Sequence, residues 1–334
     1  MRKSKLLFII SLAIGLSSCG NKQASAQTDE NPTDSVATAK VYFTKEITPE
    51  SLVKIYEALG VPPTGKVAVK ISTGESAESY NLKPELIKNL VQSVNGTLVE
   101  SNTAYAGNRN TTEAHLKAIE ERGYLTIGEF DILDSEGTMN IPVQDTTWIH
   151  YDIVGDHLKN YDYMINLAHF KGHQMGGFGG VLKNASIGVA SSTGKTYIHS
   201  AGRTQDLDKI WEYVDNQDGF LESMASAAQG VHDYFKQPGK NIVYIDVMNN
   251  MSIDCDCNGH PKAPVLKDMG ILASTDPVAL DKAALDLVFN HESVEGDNAD
   301  PMIERIKQMH GTHTVEHAEK IGLGTTNYTL IDID

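Results

Sequence analysis

The chain has 334 residues, of which 40% are hydrophobic, and its formal net charge is −16. An acidic surface repels both nucleic acid and anionic lipid headgroups, so this charge argues against either one as an electrostatic partner. The length is sufficient for a large core in one or two domains.

The N-terminus has the pattern of an export signal. Arg2, Lys3 and Lys5 precede an apolar stretch over residues 6–16, which is too short to cross a bilayer as a helix and is typical of a signal-peptide core. Small residues before Cys19 resemble a bacterial lipobox, which implies removal of residues 1–18 and attachment of lipid to the Cys19 thiol. An ordinary secretory signal with an unrelated cysteine is the alternative.

Residues 19–40 are rich in Ser, Thr, Ala, Gln and Asn without a hydrophobic period, so they are predicted to be a flexible tether. We therefore expect an exported protein of the cell envelope, periplasmic or associated with the outer membrane, and held at the membrane by lipidated Cys19. Residues 41–334 are expected to form a single α/β domain with room for two subdomains.

Strand and helix patterns alternate along this domain. Helices are indicated by Thr or Asp N-caps, by Pro in the first turn and by Gly after the last turn. The patterns predict helices over 49–59, 84–95, 113–122, 204–236, 277–289 and from 301, and strands over 66–72, 97–100, 126–143, 148–154, 163–168, 241–248, 270–273 and 328–333. Repeated β–helix–β units predict an α/β fold with a mainly parallel or mixed sheet flanked by helices.

Cys255 and Cys257 are the only cysteines besides Cys19. In an extended chain, residues two apart project to the same side, so both thiolates could bind one ion. Thiolates favour zinc, Cu(I) or iron–sulfur centres. A strained, reducible disulfide and two inert thiols are the alternatives.

His169 and His173 are four residues apart, but the glycines around them argue against a regular helix. Two cysteines and two histidines make a complete tetrahedral set, so we predict that His169 and His173 join Cys255 and Cys257 as metal ligands. His173 is also a candidate for acid–base catalysis. The alternative is that the histidines are structural and hydrogen-bonded.

A glycine run follows, in which Gly176, Gly177, Gly179 and Gly180 precede Lys183. Glycines let the backbone approach a ligand or a neighbouring segment closely, and a helix that begins near Gly179 would offer free N–H groups to an anion. We predict that these four glycines and Lys171 bind a cofactor or anion, with Lys183 in a catalytic role. Close packing of helix and strand is the alternative.

The two unusual segments follow predicted strands, the first at residues 163–168 and the second at residues 241–248. Ligands in open α/β sheets bind beyond the carboxyl ends of the strands. The sequence therefore predicts that both segments face one crevice.

Three motifs occur in a fixed order: "NLAHFKGHQMGGFGGVLKNASIG", "CDCNGHPKAPVLKDMGILASTDPVALDKAALDLV" and "HTVEHAEKIGLG". With these motifs the chain resembles the domain of unknown function family 362 over residues 66–324. Some members of that family carry a ferredoxin domain, so the resemblance implies redox or cluster chemistry nearby. This chain has too few cysteines for a four-cysteine cluster. Its Gly-Gly and Lys arrangement is also similar to that of lactate racemase proteins, in which a lysine-held cofactor acts on a hydroxy acid.

These observations lead to three hypotheses. The first is a lipid-anchored envelope protein that binds iron, zinc or a small iron–sulfur centre, with a role in redox chemistry or electron transfer and a redox partner. The second is a metal-dependent enzyme that acts on a small anionic substrate. The third is a solute-binding lipoprotein with a glycine-rich anion loop and no chemistry.

Overall fold

The computed structural model describes residues 38–334. Its strands are β1 (Ala39–Thr44), β2 (Val67–Lys70), β3 (Thr97–Glu100), β4 (Phe130–Ile132), β5 (Thr138–Pro142), β6 (Tyr151–Gly155), β7 (Tyr163–His169), β8 (Lys171–His173), β9 (Gly177–Gly179), β10 (Asn241–Met248), β11 (Gly270–Ser274) and β12 (Tyr328–Asp332). Its helices are α1 (Pro49–Ala58), α2 (Pro84–Ser93), α3 (Thr112–Glu121), α4 (Val181–Ala185), α5 (Ser192–His199), α6 (Gln217–Tyr234), α7 (Pro277–Phe289), α8 (Asp300–Gln308) and α9 (Thr312–Lys320). Short 3₁₀ turns lie over 124–126, 156–160 and 207–213.

Eight strands form the main sheet in the order β12-β1-β11-β10-β7-β2-β3-β4. Strand β11 is antiparallel to both of its neighbours, and all other neighbours in the sheet are parallel. Two small antiparallel ribbons, β5-β6 and β8-β9, lie outside it. The predicted α/β fold with a mostly parallel, mixed sheet and flanking helices is thereby confirmed.

Helices cover both faces of the sheet. One apolar core joins the sheet to α1, α2 and α3, and a second core joins its other face to α4, α6, α7, α8 and α9. Because both faces are covered, the central strand β7 is buried along its whole length. This is why the central strands are continuous apolar runs in the sequence.

The local signals in the sequence explain where several helices begin. Thr48 accepts a hydrogen bond from the backbone N–H of Ser51 at the start of α1, and Pro49 follows it in the first turn. Asp276 does the same at the start of α7, where its carboxylate accepts bonds from two backbone N–H groups. Each cap satisfies donors that the helix itself leaves without partners.

The parallel strands β10, β7, β2 and β3 are consecutive neighbours, so their carboxyl ends lie at one edge of the sheet. Lys70 ends β2 and Glu100 ends β3. The histidine-glycine run follows β7, and the cysteine pair follows β10. The fold thus brings four chemically unusual segments to the same edge.

The structure begins earlier and contains more short elements than the sequence predicts. Strand β1 begins at Ala39, two residues before the predicted start of the domain at residue 41. It belongs to the folded domain because Val41 and Phe43 pack into the core. The elements β1, β8, β9, α5 and α9 were not predicted, since each has nine residues or fewer. Within the described residues no helix is long and apolar enough to span a bilayer. The predicted signal peptide and Cys19 lie outside residues 38–334.

Candidate functional site

The histidine segment and the cysteine segment pack directly against each other. Gly172 of β8 donates its backbone N–H to the carbonyl of Ser252 at 2.8 Å. A Cβ atom on Gly172 would lie 2.3 Å from the carbonyl oxygen of Ile253, so only glycine allows this approach. The crevice predicted from the strand ends therefore exists, because β7 and β10 are parallel neighbours.

The two cysteines are free thiols at the base of this crevice. The backbone N–H of Cys257 points to the Cys255 sulfur at 3.3 Å, and Lys183 Nζ lies 4.0 Å from the same sulfur. His173 is the third member of the group, since one ring nitrogen and the two sulfurs lie within 4.8 Å of one another. These three side chains could hold a metal ion.

The surroundings of Cys255 favour its thiolate. A hydrogen bond from Cys257 holds the pKa of the Cys255 thiol well below its usual range, and Lys183 and His173 act in the same direction against the effect of burial. The same hydrogen bond and burial raise the pKa of the Cys257 thiol well above its usual range. The pair therefore shares one proton, which stays on Cys257.

His173 is oriented by the backbone. Its Nδ1 accepts hydrogen bonds from the N–H groups of Met175 at 3.1 Å and Gly176 at 2.8 Å. A neutral ring that accepts at Nδ1 carries its proton on Nε2. In this arrangement His173 is a donor at Nε2, and metal binding through Nε2 would require the ring proton to move to Nδ1 and the two backbone N–H groups to turn away from it.

The structure does not place His169 with the thiols. Its Nδ1 contacts the Asp256 carboxylate at 3.0 Å, and its Nε2 contacts the carbonyl oxygen of Asn249 at 2.6 Å. Both partners are acceptors, so each ring nitrogen donates a proton and neither offers a lone pair to a metal. The prediction of His169 as a ligand is therefore not supported by its contacts; the residue fixes the cysteine loop to β7.

Asp256, between the two cysteines, has a structural role of the same kind. It is buried, which opposes ionisation, but His169 and Lys171 outweigh burial and lower the pKa of this carboxyl. Lys171 Nζ lies 3.0 Å from its carboxylate. The resulting buried ion pairs hold the side chains of Cys255 and Cys257 toward the crevice.

A cavity of about 60 Å³ adjoins the sulfurs. Among the described residues that line it, one is acidic, Glu100, and the cationic ones are Lys70, Arg109, Lys171, Lys183 and Lys195. Arg109 and Lys171 already pair with carboxylates, whereas Lys70, Lys183 and Lys195 have no carboxylate within 4.0 Å in the described part of the chain. A cation is costly to bury without a counter-charge, so these three lysines favour a small anion in the cavity.

Two of these lysines are poised to lose their protons. Burial lowers the pKa of Lys70 to about 7, although Glu100 opposes the change. Burial lowers the pKa of Lys195 to about 8. Lys171 differs, because Asp256 and Cys255 outweigh burial and raise its pKa. The charge of the cavity therefore falls as the pH rises through the neutral range.

A second cavity, of about 340 Å³, shares Tyr105, Lys183, Lys195 and Cys257 with the first. Its walls include His173 and the exposed ring of Trp211. This larger space leads from the protein surface to the thiols. The arrangement provides an inner cationic cavity and an outer vestibule for the remainder of a ligand.

The glycine run serves two purposes. Gly179 and Gly180 line the cationic cavity, and their predicted contact with a ligand stays a prediction. Gly177, at φ 78°, packs against Gly311, and a Cβ atom on Gly177 would lie 2.9 Å from the Gly311 Cα. Neither Gly176 nor Gly177 is among the described residues that line the cavity. For Gly176 and Gly177, the alternative interpretation of the glycine run, close packing of neighbouring segments, therefore applies.

The predicted anion site at the helix N-terminus is occupied by the protein itself. Helix α4 begins after Gly180, and the N–H groups of Val181 and Leu182 donate to the Asp281 carboxylate at 2.8 and 3.0 Å. These donors are therefore not free, which corrects the expectation. Lys183 reaches the cavity from the first turn of α4 instead.

Sequence reasoning missed Lys70, Glu100, Tyr105 and Arg109. A signal existed for the first two, because each is a charged residue at the carboxyl end of an otherwise apolar predicted strand. Tyr105 and Arg109 lie in the segment after β3, where no pattern distinguishes them. Arg109 is held by Glu75 at 3.1 Å and Glu100 at 2.5 Å.

Comparison with known proteins gives one family and two distant structures. The family model described as "Domain of unknown function (DUF362)" matches residues 67–286. The lactate racemase apoprotein from Thermoanaerobacterium thermosaccharolyticum aligns with a TM-score of 0.41 and 15% identity, over 75% of this chain and 57% of that one. A protein from Thermotoga maritima aligns with a TM-score of 0.42 and 13% identity, over 83% and 59%. The chain thus spans less than two thirds of the length of either structure. No curated protein matches it in sequence.

Proposed function

This chain belongs to the domain of unknown function family 362, and we propose that it is a metal-dependent enzyme that acts on a small anionic substrate. One observation carries the proposal. A pair of cysteine sulfurs, four buried cations and the partly buried Lys183 line the same small cavity. The sulfurs suit a soft metal ion, and the cations suit the negative groups of a substrate beside it.

The donor set fits a metal such as zinc or iron. Cys255 and Cys257 would supply two thiolates, and His173 would supply Nε2 if its proton moved to Nδ1 and the turn at Met175 and Gly176 shifted to release that nitrogen. Three protein ligands leave a coordination position open, as in catalytic zinc sites. A metal held there would polarise a substrate oxygen or lower the pKa of a bound water.

The cationic side chains would bind and orient the substrate. Arg109 is fixed by its two carboxylate partners, so its position costs little entropy on binding. Lys70 is held by the side chain of Asn184 at 3.0 Å, and Asn184 by that of Asn166 at 2.6 Å. This network presets the cavity for a carboxylate or phosphate group. Lys183, between sulfur and cavity, is placed to contact both.

The first test measures metal content. The chain is purified without oxygen and compared with the Cys255→Ser/Cys257→Ser variant by elemental analysis and absorption spectroscopy. We expect stoichiometric zinc or iron in the parent chain and none at this site in the variant. A parent chain that neither contains nor takes up either metal would refute the metal-dependent function.

The second test measures anion binding by calorimetry with sulfate, whose charge is constant near neutral pH. We expect Lys70→Met to weaken sulfate binding, because it removes a cation from the cavity wall. Lys267→Met is the matched control, since Lys267 is exposed and pairs only with Asp297 at 4.0 Å. Equal sulfate binding by both variants would contradict the substrate assignment, and binding that survives removal of the metal would favour the solute-binding alternative.

A redox or electron-transfer role is the second candidate. It is favoured by the two adjacent cysteine sulfurs, because thiolates are the usual ligands of iron–sulfur and other redox-active iron centres. An iron centre or an iron–sulfur centre would give a visible band that bleaches reversibly on reduction. A colourless metal would favour the enzyme, and a bleachable band would favour electron transfer.

A further inference from the structure

A second group of ligand-type side chains lies where helix α9 packs on helix α6, and it shares no residue with the thiol site. His313 and His317 are one turn apart on α9, and Glu222 projects from α6 between them. One donor atom from each of the three lies within 4.8 Å of the others. Histidines at positions i and i+4 of a helix share a face, which is a common way to hold zinc.

The distances resemble those of a coordination shell. His313 Nε2 lies 3.0 Å from Glu222 Oε1, and His317 Nδ1 lies 3.4 Å from the same oxygen. Ligands of a tetrahedral zinc ion, with bonds of about 2.0–2.1 Å, are separated by roughly 3.3 Å. The two separations from Glu222 Oε1 are therefore close to those of a zinc shell, and the two histidine nitrogens lie within 4.8 Å of each other.

The protonation of His317 indicates a missing partner. Its Nε2 lies 2.8 Å from Asp145 Oδ2, so this nitrogen carries the proton that the carboxylate accepts. In the neutral ring Nδ1 then bears a lone pair that faces the Glu222 carboxylate. This Nδ1 is buried and makes no hydrogen bond within the described part of the chain. A lone pair opposite a carboxylate requires a cation between them, either a second ring proton or a metal.

Asp145 completes the arrangement. A carboxylate that accepts the distal N–H of a ligating histidine fixes the tautomer and increases the basicity of the metal-binding nitrogen. Trp148 Nε1 donates to Glu222 Oε2 at 2.6 Å, which leaves Oε1 toward the histidines. His313 and Glu222 are partly exposed, at 32% and 18% of their side chains, so an ion can enter from solvent.

We propose that Glu222, His313 and His317 form a second divalent-metal site, of the zinc type, that fixes α9 to α6. The ligands are nitrogen and oxygen atoms, which suit zinc rather than Cu(I) or an iron–sulfur cluster. The remaining position faces solvent and would hold water. The site is independent of the thiol site and of the function proposed for it.

The test uses the Cys255→Ser/Cys257→Ser background, so that the thiol site takes no metal. Zinc is titrated into the metal-free, full chain by calorimetry, and unfolding is followed with and without zinc. We expect one equivalent of zinc and a higher unfolding temperature. His313→Gln, at a partly exposed position, should remove both effects. Asp145→Asn should weaken binding about 10–100-fold.

His310→Gln is the matched control, because His310 is exposed, pairs with Asp218 at 2.8 Å and precedes the same helix. It should bind zinc like the background chain. Cobalt substituted for zinc should show ligand-field bands without thiolate charge transfer, which separates this site from the thiol site. Zinc uptake that is absent, sub-stoichiometric or unchanged by His313→Gln would overturn the proposal and leave His317 as a doubly protonated ion-pair partner of Asp145 and Glu222.

Discussion

Cys255 and Cys257 are two residues apart, yet their thiols have opposite electrostatic surroundings. Cys255 receives hydrogen bonds from Cys257 and lies beside Lys183, whereas Cys257 is the donor in that pair. A thiolate is both the nucleophile and the metal ligand in cysteine chemistry. The reactive atom of the site is therefore the sulfur of Cys255.

This difference predicts how the thiols titrate in the metal-free chain. Because the pKa of Cys255 lies well below its usual range, one thiolate should persist through neutral and mildly acidic pH. Ultraviolet thiolate absorbance measured against pH should show it in the parent chain and not in Cys255→Ala. Lys183→Met should shift the titration to higher pH, since a stabilising cation is removed. A parent chain that titrates like a free thiol, near pH 8.5, would contradict this assignment.

Lys70 and Lys195 predict a pH dependence of anion binding. Both are charged below their pKa values, about 7 and about 8, and neutral above them. Sulfate affinity should therefore fall as the pH rises from 6 to 9, by at least about tenfold, since a tenfold change follows one pH unit beyond the pKa of a required cation. Calorimetry at several pH values measures this. A double Lys70→Met/Lys195→Met variant should bind weakly at every pH, and an unchanged slope in that variant would assign the effect to other groups.

At the scale of elements, the site depends on the contact between β8 and the loop that follows β10. No side chain fits at Gly172, because the backbone of Ile253 occupies the place of its Cβ. The hydrogen bond from Gly172 to Ser252 then holds the cysteine loop against the histidine strand. Without that contact, nothing would hold the loop that carries the thiols against the strand that carries His173.

Gly172→Ala should therefore displace the cysteine loop. We expect a loss of about 1–3 kcal/mol in the free energy of unfolding, typical of overpacking, together with reduced metal content. Denaturant unfolding and elemental analysis measure the two effects. Gly259→Ala is the matched control in the same loop, since its added Cβ would meet its nearest neighbour, a Glu75 carbon, only at 4.0 Å. Equal stability and metal content in the two variants would show that the contact is dispensable.

At the scale of the whole molecule, strand order produces the site. Four parallel strands deliver Lys70, Glu100, the histidine segment and the cysteine segment to one edge. Antiparallel β11 and the strands beyond it extend the sheet on the other side. The site is thus assembled from segments that are nearly 200 residues apart, so local unfolding of any one strand end disrupts it.

The N-terminus gives a prediction about the location of the whole protein. If Cys19 carries lipid, the chain should partition into detergent and incorporate labelled fatty acid when it is expressed in bacteria. Cys19→Ala should abolish both, because the thiol is the attachment point that the lipobox resemblance implies. Cys257→Ala serves as the control for loss of a cysteine. If the Cys19→Ala variant and the parent chain partitioned equally into detergent, membrane attachment through Cys19 would be contradicted.

The sequence by itself determined the fold class and most of the long elements, because these depend on local signals. Helices such as α1 and α7 have N-caps and Pro in the first turn, and strands such as β10 have continuous apolar runs. Strand-end reasoning also predicted that the two unusual segments share a crevice, since parallel neighbours end at the same edge. The spacing of Cys255 and Cys257 and of His169 and His173 had singled out these segments, and their role as metal ligands stays a prediction.

Only the tertiary structure decided the partners of each polar group. His169 has the same local pattern as His173, but Asp256 and the carbonyl of Asn249 occupy both of its nitrogens. The free N–H groups expected at α4 are satisfied by Asp281, a hundred residues later in the chain. Likewise, the histidines of α9 form a group that could hold a metal only together with Glu222 of α6. Ligand sets and hydrogen-bond partners are non-local, so spacing along the chain cannot specify them, whereas caps and hydrophobic periods are local and can be recognised directly.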